Sequence, residues 1–269
     1  MMSFSTLVFT LSALLSQDTL SLTAEQQVTQ IRGEHIFADH MGSVYVVHGE
    51  EVKRFRMNAP DQVATFSQKN SGTPSFLDVT NPLKPLLFYP DFMQVQLLDR
   101  QLAAMGPPIA LDQAGYPLTQ LICTSHNNGY WIYDPEKQAI VRLDNDWKPT
   151  GQSGSLLQLM EKAPKPYWIQ QANNKVYLGD HNNGILVFDI YGTWLHTLPI
   201  LAPDRFKVVG DELHYVVNGM WHIHDMIRNT EVKYALPHEE ISDFTIAGDR
   251  LYILGPKGIF SFRAQLPKK

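Results

Sequence analysis

A single cysteine, Cys123, stands among 269 residues. No intramolecular disulfide is therefore possible, and cysteine usage says nothing about compartment. Cys123 lies in the apolar, strand-like run Leu-Ile-Cys-Thr-Ser, where a small buried hydrophobe is expected rather than a reactive thiol. Charge is scarce as well: 18% of residues are charged, the formal net charge is −5, and Lys and Arg are nowhere massed. Phosphate binding depends on clustered positive charge, so nucleic acid is not an expected partner. The GxSxG, HExxH and P-loop patterns are also missing. Motifs therefore assign no catalytic residue, no metal ligand and no cofactor, although 27 acidic residues and ten histidines leave room for a site that only folding assembles.

No apolar stretch reaches the ~20 residues a membrane-spanning helix needs. The run Leu7–Leu15 has instead the length of a signal-peptide core, followed by small or polar Ser16 and Gln17. A charged leader is missing, because no Lys or Arg precedes Arg32. We expect residues 1–16 to be a signal peptide and 17–269 one exported domain, periplasmic or associated with the outer membrane; the competing reading of the run is a buried first strand or helix. No cysteine follows it, which argues against a lipid anchor there.

Long helical periodicity is nearly absent, and turn residues interrupt short strands throughout, which points to an all-β repeat. Strands ending at a turn recur at Arg56, Asp99, Asp144, Asp189, Asp225 and Arg263, with intervals of 43, 45, 45, 36 and 38. Those intervals are the size of a four-stranded blade, about 40 to 50 residues, and six markers imply a six-bladed β-propeller. The last blade has only three strands before the chain ends at Gln265–Lys269. The strand-like segment Glu25–Gly33 precedes blade one, so the last blade is expected to be closed by this N-terminal outer strand, removing an exposed edge.

The segment Val176–Pro199, which contains Asp180-His-Asn-Asn-Gly-Ile-Leu-Val-Phe-Asp, resembles one unit of the NHL-type six-bladed propellers. With the stretches Asn-Asn-Gly-Ile-Leu-Val-Phe-Asp-Ile-Tyr-Gly-Thr and Asn-Pro-Leu-Lys-Pro-Leu-Leu-Phe-Tyr-Pro-Asp-Phe, the chain also resembles a group of exported propellers from Bacteroidota. The resemblance implies the fold and an envelope location, and it transfers no catalytic residue.

His-Asn-Asn-Gly occurs twice, at His126 and His181. Asn-Gly between apolar runs is a hairpin signal, since both residues tolerate the positive φ of a type I′ turn. The copies sit 55 residues apart, ten more than the local period, so the first is expected between strands one and two of blade three and the second between strands two and three of blade four. Those turns are expected on opposite faces, which argues against a site shared by His126 and His181. His222 and His224 fall on one face of a strand and are a weak zinc candidate, with Asp225 beside them. The central tunnel is expected to be lined from the first strands, including Asp39, Asp78, Gln170, Gln171, Lys207 and Asp243.

Two long connections suggest function, because excess loop in a compact repeat often carries it. One places Phe88, Tyr89, Phe92 and Met93 around Pro90 in blade two; the other joins blades three and four with a short helix at Ser155–Lys162. Both are expected on the face that carries His181 and Asn182. Exposed aromatic and Met side chains suit protein recognition, so Phe88, Tyr89, Phe92, Met93, His181 and Asn182 are the candidate partner-binding residues. The expected function is a non-catalytic scaffold in an envelope complex. The alternative is a lyase or hydrolase, metal-assisted or not, at the tunnel mouth, which converging histidines and carboxylates on the axis would favour. A glycan-binding reading would draw on Trp131, Trp168 and Trp194.

Overall fold

The computed structural model describes residues 22–264, apart from 57, 202–203 and 238–239. Six four-stranded antiparallel sheets form the blades of a β-propeller, and in five of them the strands follow chain order from the axis outward. The six first strands are His35–Ala38, Phe76–Asp78, Leu121–Thr124, Pro166–Ala172, Phe206–Val209 and Asp243–Ala247. In the sixth blade Leu22–Thr29 takes the outer position against Gly258–Ala264, with Leu22 opposite Ala264 and Thr29 opposite Ile259. The expected closure by both ends of the chain is therefore present. Residues 1–16, read as a signal peptide, lie outside the described residues.

Several middle strands are covered by neighbouring blades on both faces and read as continuous apolar runs rather than alternating ones. Tyr130–Asp134 and Gly184–Phe188 are buried at every position. The second strand of blade two shows the consequence. Leu87 and Tyr89 pack with Tyr45, Val47 and Val52 of blade one, while Leu86 and Phe88 pack with Tyr130, Ile132 and Val141 of blade three. Phe88 and Tyr89 are fully buried and offer no contact surface, contrary to their expected exposure at a turn. That turn is the single 3-10 turn Pro90–Phe92. The preceding bend, Val79–Pro85, lies on the opposite face because it joins strands one and two. The helix expected over Ser155–Lys162 shrinks to Leu156–Leu159, anchored by buried Leu156. Cys123 and Trp131 are buried together, and burial pushes the Cys123 thiol well up.

The four aspartate markers have a common job. Oδ1 of Asp99 accepts the N–H groups of Gln101 and Ala103, Asp144 those of Asp146 and Lys148, and Asp189 those of Tyr191 and Thr193. Asp225 does the same for Ile227 and Arg228. In blades two to five the period visible in the sequence is thus the period of carboxylates that close the turn between third and fourth strands, supplying acceptors to otherwise unpaired donors.

The two His-Asn-Asn-Gly copies sit between the strands expected but use different backbones. In the first, Asn127 and Asn128 both have φ 57, and the Gly129 amide donates to the His126 carbonyl, making a type I′ turn on Asn-Asn rather than Asn-Gly. In the second, only Gly184 has positive φ, and Asp180 Oδ1 caps the Asn182 and Asn183 amides. The structural counterpart of the first copy is the turn at Asn173 and Asn174, with φ 50 and 57.

Candidate functional site: the axial mouth

All six first strands begin at one end of the axis, where the inter-blade connections deliver the chain. A cleft of about 370 Å³ opens there, lined from every blade. Its walls are aromatic. Phe76 meets the Trp168 ring edge-on at 4.9 Å and the Phe37 ring at 6.0 Å. The Arg205 guanidinium lies 4.2 Å from the centre of Phe37 and 4.8 Å from that of Trp168, a doubly stacked cation whose planar, weakly hydrated head suits such a position.

Arg205 is ion-paired with Asp243 Oδ2. The same oxygen accepts the Ile36 amide at 2.9 Å, and Oδ1 accepts that of Phe244 at 2.8 Å. His35 Nδ1 stands 3.5 Å from Oδ2. Asp243 therefore ties blade six to blade one and blade five to blade six, with both oxygens engaged. Burial lowers the pKa of Arg205, and Asp243 offsets part of that fall. Trp168 Nε1 and the Tyr167 hydroxyl are buried and have no partner among the described residues.

Most tunnel residues expected from the sequence serve as staples between blades. Asp78 Oδ2 accepts the Thr124 amide and hydroxyl at 2.7 and 2.8 Å. Gln170 makes a two-way link to Val208, amide to carbonyl and carbonyl to amide. Gln171 accepts the Trp131 indole N–H at 2.9 Å. Asp39 is not axial: it caps the turn after its strand through Met41 and Ser43 and accepts the Tyr45 hydroxyl. The Lys207 side chain makes no hydrogen bond or ion pair among the described residues; burial lowers its pKa, partly offset by the charge of Asp78.

Of the expected partner-binding residues, Phe92 is 54% exposed at its turn, and His181 is exposed, its ring 4.4 Å from that of Tyr167 beside the mouth. Met93 is half-buried and packs into the cluster between blades two and three. Asn182 is also half-buried, its amide donating to the Ala163 carbonyl at 2.7 Å, so it secures the connection between blades three and four. Leu118, Leu157, Leu159 and Leu201, in three inter-blade connections, are 38–52% exposed on this same face. His35, Phe37, Phe76, Tyr167 and Arg205 complete the mouth, and no motif marked them. The cue available was their shared place at or just beside the start of a first strand.

His222 and His224 do not form a zinc pair with Asp225. His222 Nδ1 lies 3.0 Å from Glu231 Oε1, which also accepts the Tyr215 hydroxyl, while Lys233 Nζ is 2.8 Å from Oε2. Among the described residues no group of three or more His, Cys, Asp or Glu is placed to hold a metal. Burial alone would raise the Glu231 pKa, but hydrogen bonds from Lys233, Tyr215 and His222 outweigh it and hold the carboxyl at about 2, below its ordinary 4.5. A carboxylate lowered on folding contributes stability that is complete above its unfolded pKa and is lost as pH falls through the folded value. Thermal melts should therefore show a fall in Tm between pH 4.5 and 2 that is smaller in Glu231→Gln; an equal fall in both proteins would overturn this reading. Of the tryptophans considered for glycan stacking, Trp131 is buried, Trp168 lines the mouth and Trp194 is 39% exposed on an outer strand.

Solved structures share the fold at low identity. A streptogramin B lyase is 13% identical, covering 91% of this chain and 98% of that one at a TM-score of 0.60. A catalytically inactive histidine-to-alanine form of virginiamycin B lyase from Staphylococcus aureus, with quinupristin, is 14% identical over 92% and 89%, with a TM-score of 0.57. BamB from Moraxella catarrhalis is 8% identical over 87% and 83%, with a TM-score of 0.53. Such likeness establishes the propeller fold alone, and the fold hosts both an enzyme and proteins solved within or as parts of assemblies, such as the mitotic checkpoint complex. No family model and no curated protein matches the chain. Among the described residues no helix is long and apolar enough to cross a membrane.

Proposed function

We propose that this chain is a non-catalytic interaction propeller of the cell envelope, presenting the mouth face to a protein partner. The observation that carries this reading is the mouth itself: an aromatic-walled cleft whose cation and carboxylate are already paired, rimmed by exposed Phe92, Leu118, Leu157, Leu159 and Leu201. An apolar pocket with a rim of this kind accepts an uncharged anchor side chain from a partner, and interface energy concentrates in such anchors. The envelope location rests on the apolar run Leu7–Leu15 and on the resemblance of Val176–Pro199 to NHL-type units.

The alternative, an enzyme at the mouth, draws on one feature, the half-exposed His35 backed by Asp243 at 3.5 Å, the pairing of a general base with its orienting carboxylate.

The test is affinity capture from native envelope, with cross-linking and mass spectrometry. The expected result is a stoichiometric partner retained by His35→Ala and lost with Phe92→Asp combined with Leu201→Asp, all variants melting like the parent. No stoichiometric partner, or capture unchanged by the paired aspartates, would overturn the scaffold reading.

A further inference from the structure

The first His-Asn-Asn-Gly turn, on the face opposite the mouth, opens onto a second cleft of about 320 Å³ between the turns of blades two, three and four. Its chemistry is one-sided: amides and hydroxyls of Thr80, Asn81, Thr124, Asn128 and Asn174 line it, and no Asp or Glu does. Lys84 is the single ammonium on the wall. Nζ donates to Asn145 Oδ1 at 3.0 Å and lies 5.6 Å from the centre of the Tyr130 ring, and it has no ion pair among the described residues. Desolvation lowers its pKa, as expected of a cation that lacks a counter-charge.

His126 is held in one orientation by a relay from the core. Trp131 Nε1 can only donate, and it donates to Gln171 Oε1 at 2.9 Å. This fixes the Gln171 amide so that its Nε2 faces His126 Nδ1, 3.3 Å away. Nδ1 is then the acceptor, and Nε2 of the neutral ring carries the hydrogen. Arg142 secures the turn from behind, donating to Ser125 Oγ and to the His126 carbonyl, each at 3.4 Å. The Tyr130 hydroxyl, on a residue that lines the same cleft and is 1% exposed, has no partner among the described residues.

We propose that this cleft binds a hydroxylated oxyanion, a sugar acid or a sugar phosphate, with Lys84 and the His126 Nε2–H on the anionic group and the side chains of Asn128 and Asn174 on ligand hydroxyls. One cation with no acid on the wall selects a single anionic group. The paired Asn-Asn turns of adjacent blades place amide donors and acceptors at fixed spacing, which suits hydroxyls. This site lies on the face away from the mouth and does not depend on the scaffold reading.

Calorimetric titration of the full chain with glucuronate, glucose 6-phosphate, glucose and inorganic phosphate tests the proposal. At least one of the two anionic sugars is expected to bind at least about tenfold more tightly than glucose or inorganic phosphate, the margin of a charge-assisted contact added to hydroxyl contacts. Lys84→Met should remove that margin without changing the Tm, Lys84→Arg should retain it, and His126→Ala should weaken binding. No saturable binding of either anionic sugar up to about 20 mM, equal affinity for glucose, or Lys84→Met binding like the parent would each overturn it.

Discussion

Gly258→Val is expected to open the ring. A Cβ at Gly258 would lie 2.1 Å from the Thr29 carbonyl oxygen and 2.9 Å from Gln30 Cα, and the residue has φ +115. Both obstacles are backbone, so no side chain can move aside, and a branched residue is strained at that φ regardless of space. The cheapest relief is detachment of Leu22–Thr29 from Gly258–Ala264. We expect a loss of at least about 3 kcal/mol, which for a domain of this size lowers the Tm by roughly 6–12 °C. The freed edge should also promote concentration-dependent association. Gly248→Asn is the control, because a Cβ there meets nothing within 4 Å and Asn tolerates left-handed backbone. A Gly258→Val protein that melts with the parent would refute the closure as drawn.

Asp243→Ala is expected to cost about 3–5 kcal/mol, the range for breaking a buried ion pair from one side. The loss falls on three groups at once: the Arg205 guanidinium enclosed between Phe37 and Trp168, and the amides of Ile36 and Phe244. Much of that cost is the uncompensated charge, not the pair's net worth. Arg205→Met in the same chain should therefore recover part of the stability, leaving mainly the two unpaired amides. Chemical denaturation of the two singles and the double closes the cycle. An Asp243→Ala cost below about 1 kcal/mol, or a double variant no better than the single, would show that the mouth is not held by this pair.

The fold was legible because its devices are local. A carboxylate that caps the amides two and four residues on, as Asp144 and Asp189 do, writes its period into the chain. The surplus strand at one end and the missing strand at the other were equally readable. Phe88 and Tyr89 were misread because a strand covered on both faces has no alternation to separate it from an apolar loop. The mouth was illegible for a different reason: the Ile36 amide and Asp243 are 207 residues apart, and the first-strand residues that surround Arg205 share position in a blade, not a motif. The tunnel residues were partly located, but their roles as staples follow from neighbours that spacing does not specify. Conversely, the repeated His-Asn-Asn-Gly drew notice as a pair, whereas the chemistry gathers at the first copy, beside the unlike sequence at Asn173.

Because the outer strand of the last blade is synthesised before blade one and its partner Gly258–Ala264 follows all the other strands of the ring, the ring cannot close until that last strand has emerged. At ribosomal speeds of about 5–20 residues per second, roughly 10–50 s separate the two strands. For that interval Leu22–Thr29 has no native partner strand, and unpaired strand edges invite wrong partners. The propeller is therefore most vulnerable while nearly finished, and a factor that shields Leu22–Thr29 until Gly258–Ala264 is in place would raise its yield.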